Sequence, residues 1–354
     1  MARVNVAIAG VGNCASALIQ GVNYYNDSCM DPTGLLHRSI GPYDVKDIKF
    51  VTAFDINETK VGKDLSEAIF AEPNNTMIFS RPPEVGVRVK RGPVHDGIGK
   101  FLKERIGVSE EAEVDVVREL RDSGADVLVN YLPVGSEVGS SFYAETALKA
   151  GCAFVNAMPV FIASDADWQN RFQDARLPVI GDDVMSQLGA TVLHKTIAKL
   201  LVERGAKIEE SYQLNIGGDT DFLNMLEQER LKSKRESKTS AVKAMVPYEI
   251  PLRIGPSDYV DFLGNEKVCY IWVKGRYFGG APLKIDVKLS VIDAPNSAGI
   301  IIDAVRVAKL GLVRGIGGPM TSMSAYGFKH PPIQLPYEEA KRKLESFIVG
   351  EEAR

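Results

Sequence analysis

Along the first half of the chain, short apolar runs take turns with amphipathic stretches. Val4–Ala9 reads V-N-V-A-I-A, the pattern of a buried strand. Residues 10–16 form a glycine-containing turn, and 17–24 start a helix. A second apolar strand over 48–54 stops at Asp55. A helix over 113–123 leads into a strand over 127–132, and Ala153–Asn156 and Pro178–Ile180 continue the series. Strands alternating with helices predict an α/β unit with a doubly wound parallel sheet. Loop-rich residues 26–47 read as an insertion between the first helix and the second strand.

From about Lys207 the pattern changes. Residues 208–216, 268–273 and 283–293 look like longer strands with polar alternation and few helices between them. That predicts a second, α+β domain built on an open sheet. Residues 297–310 form an amphipathic helix closed by Gly311. The expected layout has 1–201 and 296–354 as one domain, and 202–295 as a catalytic and oligomerisation domain inserted between them.

Composition narrows the classes. At 354 residues, 45% hydrophobic and 25% charged, the chain reads as globular with about two domains. A net charge of −4 argues against a dedicated nucleic-acid binder. No apolar run is long enough to span a membrane, and nothing at the N-terminus resembles a signal peptide. Cys14, Cys29, Cys152 and Cys269 are scattered, which fits a reducing cytoplasm and no disulfide framework. His37, His95, His194 and His330 lack metal-ligand spacing and read as structural.

The first turn carries a cofactor signal. Gly10-Val-Gly12-Asn13-Cys14-Ala15 follows a strand and opens a helix, matching the G-x-G-x-x-G/A dinucleotide fingerprint of the Rossmann fold. Gly10 permits the tight turn, Gly12 lets backbone approach a pyrophosphate, and Ala15 lets helix and strand sit close. From Gly12 to Ser16 the helix start offers free N–H groups to phosphate. Asp55, at the end of the next strand, can accept from both ribose hydroxyls and would repel a 2′-phosphate, which favours NAD over NADP. Asn130-Tyr131-Leu132-Pro133 ends a later strand on the same sheet edge and can line the nicotinamide side.

Chemistry concentrates further on. The stretch 215–240 places Asp219 and Asp221 close together, then a comb of lysines. Residues 225–238 read as helix, with Lys234 and Lys238 at i and i+4 on one face. Like charges there cost about 0.2–0.5 kcal/mol, which is tolerable if both ammoniums face an anion. Gly181-Asp182-Asp183 follows an apolar strand. Ser186, Gly189, Ala190 and Thr191 then precede a helix over 192–203, a ready anion site as well as a simple cap. Asp219 and Asp221 form a hard-oxygen pair suited to Mg²⁺ or Mn²⁺, or to Zn²⁺, with capping by Asp221 of the helix that carries the lysines as the alternative.

These segments, in this order, resemble the inositol-1-phosphate synthases (inositol-3-phosphate synthases in the alternative numbering of the product) of the shorter prokaryotic kind. The resemblance runs nearly end to end. It is carried by G-V-G-N-C-A-S at Gly10 to Ser16, by G-D-D and the approach to the next helix at Gly181 to Thr191, and by S-Y-Q-L-N-I-G-G-D-T-D at Ser211 to Asp221. S-K-R-E-S-K-T at Ser233 to Thr239 matches the family's S-K-E-x-S-K-S. G-N-E-K at Gly264 to Lys267 resembles its G-D-S-K, with Asn265 and Glu266 as departures. Y-G-F-K-H-P at Tyr326 to Pro331 resembles its Y-W-L-K-A-P.

The resemblance implies NAD-bound conversion of D-glucose 6-phosphate to 1L-myo-inositol 1-phosphate: oxidation at C5, enolisation at C6, aldol closure onto C1 and re-reduction. It implies that Lys234, Lys238, Lys267 and Lys329 form a cationic cage. Lys329 moves a proton at O5, Lys234 assists the hydride step, and Lys238 and Lys267 hold phosphate and the C1 oxyanion. Asp183 and Asp293 orient these lysines. Ser186, Gly189, Ala190 and Thr191 bind the substrate phosphate. It also implies a homotetramer and, in some members, a divalent metal. An NAD-linked dehydrogenase of a sugar or polyol phosphate, or a non-catalytic NAD or sugar-phosphate sensor, would share the cofactor half of this pattern.

Overall fold

The computed structural model describes residues 2–26, 31–352 and 354; Cys29 lies outside them. β1 (Val4–Ala9) runs into α1 (Asn13–Tyr24), and a small hairpin, β2 (Ser39–Ile40) and β3 (Tyr43–Asp44), precedes β4 (Ile48–Asp55). α2 (Leu65–Ala68), β5 (Val89–Arg91), α3 (Val116–Asp122) and β6 (Val127–Asn130) follow. Next come α4 (Glu137–Ala150), β7 (Ala153–Asn156), α5 (Ala166–Asp174) and β8 (Pro178–Ile180).

The second unit comprises α6 (Ala190–Glu203), β9 (Lys207–Gly217), α7 (Thr220–Asn224), α8 (Lys232–Lys243), β10 (Leu252–Tyr259), β11 (Glu266–Arg276) and β12 (Pro282–Ile292). The chain then returns through α9 (Asp293–Val313), β13 (Gly318–Pro319), α10 (Thr321–Gly327) and α11 (Tyr337–Val349).

The larger sheet is parallel, in the order β13-β8-β7-β6-β1-β4-β5. Its strand order reverses between β1 and β6, so a crevice opens beyond their C-terminal ends, where such sheets bind ligands. The fold is the doubly wound α/β type expected. The smaller sheet, β10-β9-β11-β12, is mixed: β10 and β9 are parallel and the other neighbours antiparallel. α6 and α8 cover one of its faces, through Ala190, Ala198, Leu201 and Val242 against Ile208, Ile271 and Val273. Packing therefore puts α6 with the second sheet, although the sequence division ended the first domain at 201.

Several boundaries differ from the sequence reading, each for a local reason. α1 starts at Asn13 rather than 17, because Gly12 is extended and the turn closes within three residues. β6 stops at Asn130 rather than 132, because the Asn130 side chain accepts from Leu132 N at 3.2 Å and turns the chain away. α3 is shorter than 113–123, since the Asp115 side chain caps it by accepting from Arg118 N. The single helix expected over 225–238 starts late: α7, capped by Asp219, has ended by Asn224, a 3-10 turn runs through Gln228–Leu231, and α8 begins only at Lys232. β10 was not expected; Gly255 and Pro256 interrupt any strand pattern there, and as an edge strand it tolerates the proline. Asp293 opens α9 instead of ending a strand. Gly311 lies inside that helix, where a Cβ would come 3.1 Å from Pro178 Cγ, and Gly315 (φ 68°) follows the helix end.

α9 packs on α1 and the larger sheet, and also fastens residues 37–43. Arg306, wholly buried, donates to Asp303 Oδ1 at 2.6 Å, to the His37 carbonyl at 2.7 Å and to the Arg38 carbonyl at 2.8 Å. A buried guanidinium needs that full set of acceptors. Replacing Asp303 with alanine strands it, so D303A should lower the unfolding free energy by about 3–5 kcal/mol, read from urea melts.

Candidate active site

The first half of the site is the glycine turn. Gly10 has φ 94°, and a Cβ there would meet the Tyr131 carbonyl at 2.6 Å, so only glycine fits. A Cβ on Gly12 would meet nothing within 4 Å: it would project into open space above the start of α1. α1 has no side-chain cap and no acidic residue in its first turn, which leaves its N–H groups and dipole free for an anion. Asp55 holds the turn from below, its Oδ2 accepting from Val11 N at 2.7 Å and its Oδ1 from Asn57 N at 2.8 Å. Lys60 Nζ donates to the Val11 carbonyl at 2.8 Å. The cradle fits a dinucleotide pyrophosphate.

The same cavity, about 1800 Å³ counting its open mouth, continues from this turn past Tyr131, Leu132 and Pro133 to the lysines. Lys234 and Lys238 come from α8, Lys267 from β11 and Lys329 from the segment after α10, and all four line it. Asp183, at φ 61°, stands among them. It accepts from Lys329 Nζ at 2.8 Å and from Ser237 Oγ at 2.6 Å, with Lys234 Nζ at 4.0 Å. Burial opposes its ionisation, but the Lys329 and Lys234 ammoniums and these hydrogen bonds prevail and hold its carboxyl at about 2. Lys267 donates to both Asp293 oxygens at 3.0 Å. Burial disfavours the Lys267 ammonium, yet Asp293 raises it above its ordinary value.

Lys238 differs. Among the described residues it has no hydrogen bond or ion pair, and only 3% of it is exposed. Burial, then repulsion from Lys267, Lys234 and Lys329, pushes its ammonium well below the usual range. Lys329 is also lowered, by burial first and by Lys234 and Lys267 after it. For Lys234, Asp221 at 3.7 Å and Asp183 outweigh burial and raise it. The set is a graded group of cations, from firmly charged to easily neutral.

A smaller cavity adjoins the cage, lined by Ser186, Gly189, Ala190, Thr191, Gln213 and Asn215 together with Lys238, Lys267 and Lys329. Gly189 begins α6 without a side-chain cap, so that helix also presents free N–H groups.

Most residues singled out in the sequence therefore meet around the two cavities. Three do not line them. Ala15 is packed in the core, and Ser16 accepts from Gln20 Nε2. Asn130 lies under the cavity wall, bonded to Ser140, Asn156 and Leu132 N. Asp219 is the cap of α7: its Oδ1 accepts from Phe222 N and its Oδ2 from Asn265 Nδ2 at 3.0 Å. Burial, with Asp221 and Asp293 nearby, pushes its carboxyl up to about 7. Those oxygens are engaged, Asp221 faces Lys234, and among the described residues no group of three or more metal-ligating side chains gathers. The donor set suits a helix cap better than Mg²⁺, Mn²⁺ or Zn²⁺.

The sequence reading named Asp182 and Asn265 without giving either a role, and gave none to Ser237. Asp182 is fully buried and accepts from Asn156 Nδ2, Ser164 Oγ and the Ile162, Ala163 and Ser164 amides, which pins the loop that presents Asp183. Ser237 sits three residues after Lys234, the helical spacing that marks a shared face.

Comparison with known proteins agrees with this geometry. The family profile described as Myo-inositol-1-phosphate synthase matches residues 189–294. An inositol-3-phosphate synthase of Mycobacterium tuberculosis is 53% identical over 353 residues, covering 98% of this chain and 96% of its own. One from Corynebacterium glutamicum is 51% identical over 357 residues, covering 98% of each. The crystal structure of a myo-inositol-1-phosphate synthase-related protein from Thermotoga maritima superposes with a TM-score of 0.82 at 26% identity, covering 98% of both chains.

Because Asp183 is held at about 2, its contribution to stability is complete above the ordinary carboxylate value near 3.9 and is lost as pH falls through 2. The stability gap between wild type and D183N should stay flat above pH 5. It should shrink by about 2 kcal/mol between pH 5 and the lowest pH at which the fold survives, in urea melts across that range.

Proposed function

The chain belongs to the inositol-phosphate synthase family, and from that membership we propose how its residues divide the reaction. It is an isomerase that converts glucose 6-phosphate to an inositol phosphate with NAD. What NAD supplies when bound is a reversible hydride sink, so the conversion leaves no net oxidation. The observation that carries the reading is the junction of the glycine-turn cradle with four buried lysines in one cavity.

The cradle formed by Gly10, Gly12 and the start of α1 holds the pyrophosphate, and Asp55 and Lys60 keep its shape. Tyr131, Leu132 and Pro133 wall the nicotinamide side. The smaller cavity takes the phosphate of the sugar, with Ser186, Thr191 and the free N–H groups of α6 as donors and Lys238 and Lys267 as counter-charge. Lys329 moves the proton at O5: it is lowered, so it gives up a proton more readily than a surface lysine, and Asp183 fixes its position. Lys234 stays charged and stabilises negative charge at O5 during the hydride step. A ketone at C5 acidifies C6, and Lys238 and Lys267 stabilise the oxyanion that forms at C1 when the ring closes. Asp293 holds Lys267 toward the cavity. No step is assigned to a divalent ion at Asp219 and Asp221.

We divide the chain into a cofactor domain, 1–189 and 296–354, and a catalytic unit, 190–295. The face of the smaller sheet opposite α6 and α8 exposes Tyr212, Leu214 and Tyr270, with Tyr212 stacked on Trp272. We assign that apolar face, with the open edge of β12, to assembly of a homotetramer. The described cysteines are free thiols, which suits the cytoplasm.

Incubation with glucose 6-phosphate and NAD⁺ should yield inositol phosphate without accumulation of NADH, and EDTA should leave turnover intact. NADH build-up without inositol phosphate would instead mark a dehydrogenase. K238M should lower kcat by about 10²–10³-fold while NAD binding, followed by fluorescence titration, is kept.

A further inference from the structure

Behind the smaller cavity runs a file of hydrogen bonds for which the reaction above has no use. The Ser211 hydroxyl donates to the Trp272 carbonyl at 2.6 Å. Ser211 Oγ meets His194 Nε2 at 2.9 Å, and His194 Nδ1 meets Gln213 Oε1 at 3.1 Å. Gln213 Nε2 meets Asn215 Oδ1 at 3.1 Å, and Asn215 Nδ2 donates to the Gly255 carbonyl at 2.8 Å. Five bonds thus join four side chains between two carbonyls that can only accept.

Each bond needs one hydrogen. The serine brings one, a neutral imidazole one, and each amide one, because its NH₂ stands at a single end. That makes four hydrogens for five bonds. Turning an amide over, or changing the tautomer, moves the shortfall without removing it. Only an imidazolium, with hydrogen on both nitrogens, supplies the fifth. Burial works against that form and pushes His194 down to about 4.

The two amides line the smaller cavity. Each uses one N–H in the file, which leaves a second for an anion. We propose that His194 is a positioning residue that takes up a proton when a phosphate dianion enters the smaller cavity, completing the file and fixing Gln213 and Asn215 as donors to that anion. The proposal rests on the assignment of this cavity to the sugar phosphate. The groups facing His194 are Ser211 and Gln213 of β9, with the β11 carbonyl of Trp272 behind Ser211. The charges on the cavity are Lys238 of α8, Lys267 of β11 and Lys329 after α10, while Lys195, next on α6, reaches Gln334 at 3.4 Å. Those ammoniums oppose a further cation until a dianion balances them.

The test titrates the full chain with sodium sulfate at pH 7, a dianion that does not itself exchange protons there, and reads the histidine ring nitrogens by ¹⁵N NMR. The His194 signals, identified by their absence from H194Q, should move from the neutral pattern to the imidazolium pattern as sulfate binds. H194Q, whose amide brings one hydrogen to the file and never two, should raise KM for glucose 6-phosphate about five-fold more than it lowers kcat. If H194Q does not fold, the contact of the ring with Ser211 identifies the signals in the wild type. Sulfate binding with His194 still neutral overturns the proposal alone. Failure of sulfate to bind overturns it together with the phosphate assignment of the cavity.

Discussion

A buried ammonium must meet negative charge or lose its own. Lys234, Lys267 and Lys329 meet Asp221, Asp293 and Asp183, and Lys238 meets none among the described residues. The cage therefore sets four amines against the three carboxylates that pair with them, in a volume where water screens little, and Lys238 meets that imbalance by tending to its neutral form. Asp183 carries the largest share of the compensation, since it serves Lys329, Lys234 and Ser237 at once. That demand explains why the loop under it is tied down by five hydrogen bonds to Asp182. An anionic substrate brings the charge that the protein withholds, so affinity and catalysis draw on the same imbalance.

The two sheets divide the work between them. The parallel sheet supplies a crevice where its strand order reverses, and its glycine turn is set by the close approach of the Tyr131 carbonyl to Gly10. The mixed sheet supplies lysines from rigid elements: two on α8, and one on a strand bonded on both sides. α9 then carries the chain back, so that Lys329 joins the cage from the segment after α10. Helix and strand fix Lys234, Lys238 and Lys267, while the loop residues Asp183 and Lys329 are fixed by hydrogen bonds to Ser237, to each other and to the Val184 carbonyl.

Much of this was legible in the sequence. The glycine turn, Asp55 and the i, i+4 lysines are local patterns, readable wherever periodicity and turn chemistry agree. Strand β10 was hidden because Gly255 and Pro256 carry loop signals that only an edge position tolerates. The roles of Asp182 and Asp219 were hidden for another reason. A carboxylate that caps a helix or pins a loop looks, in sequence, the same as one that binds a metal; what separates them is which amides lie within reach. The hydrogen-bonded file through His194 was invisible for the same reason, as its five links join α6, β9, β10 and β11.

The ion pair of Lys329 with Asp183 spans 146 positions of the chain. A ribosome adding about 5–20 residues per second needs roughly 7–30 s to pass from one to the other. Throughout that interval six of the seven strands of the parallel sheet can pair and the glycine turn can close, yet Asp183 lacks its main counter-ion. The nascent protein thus passes through a stage with a complete dinucleotide cradle and no competent sugar site.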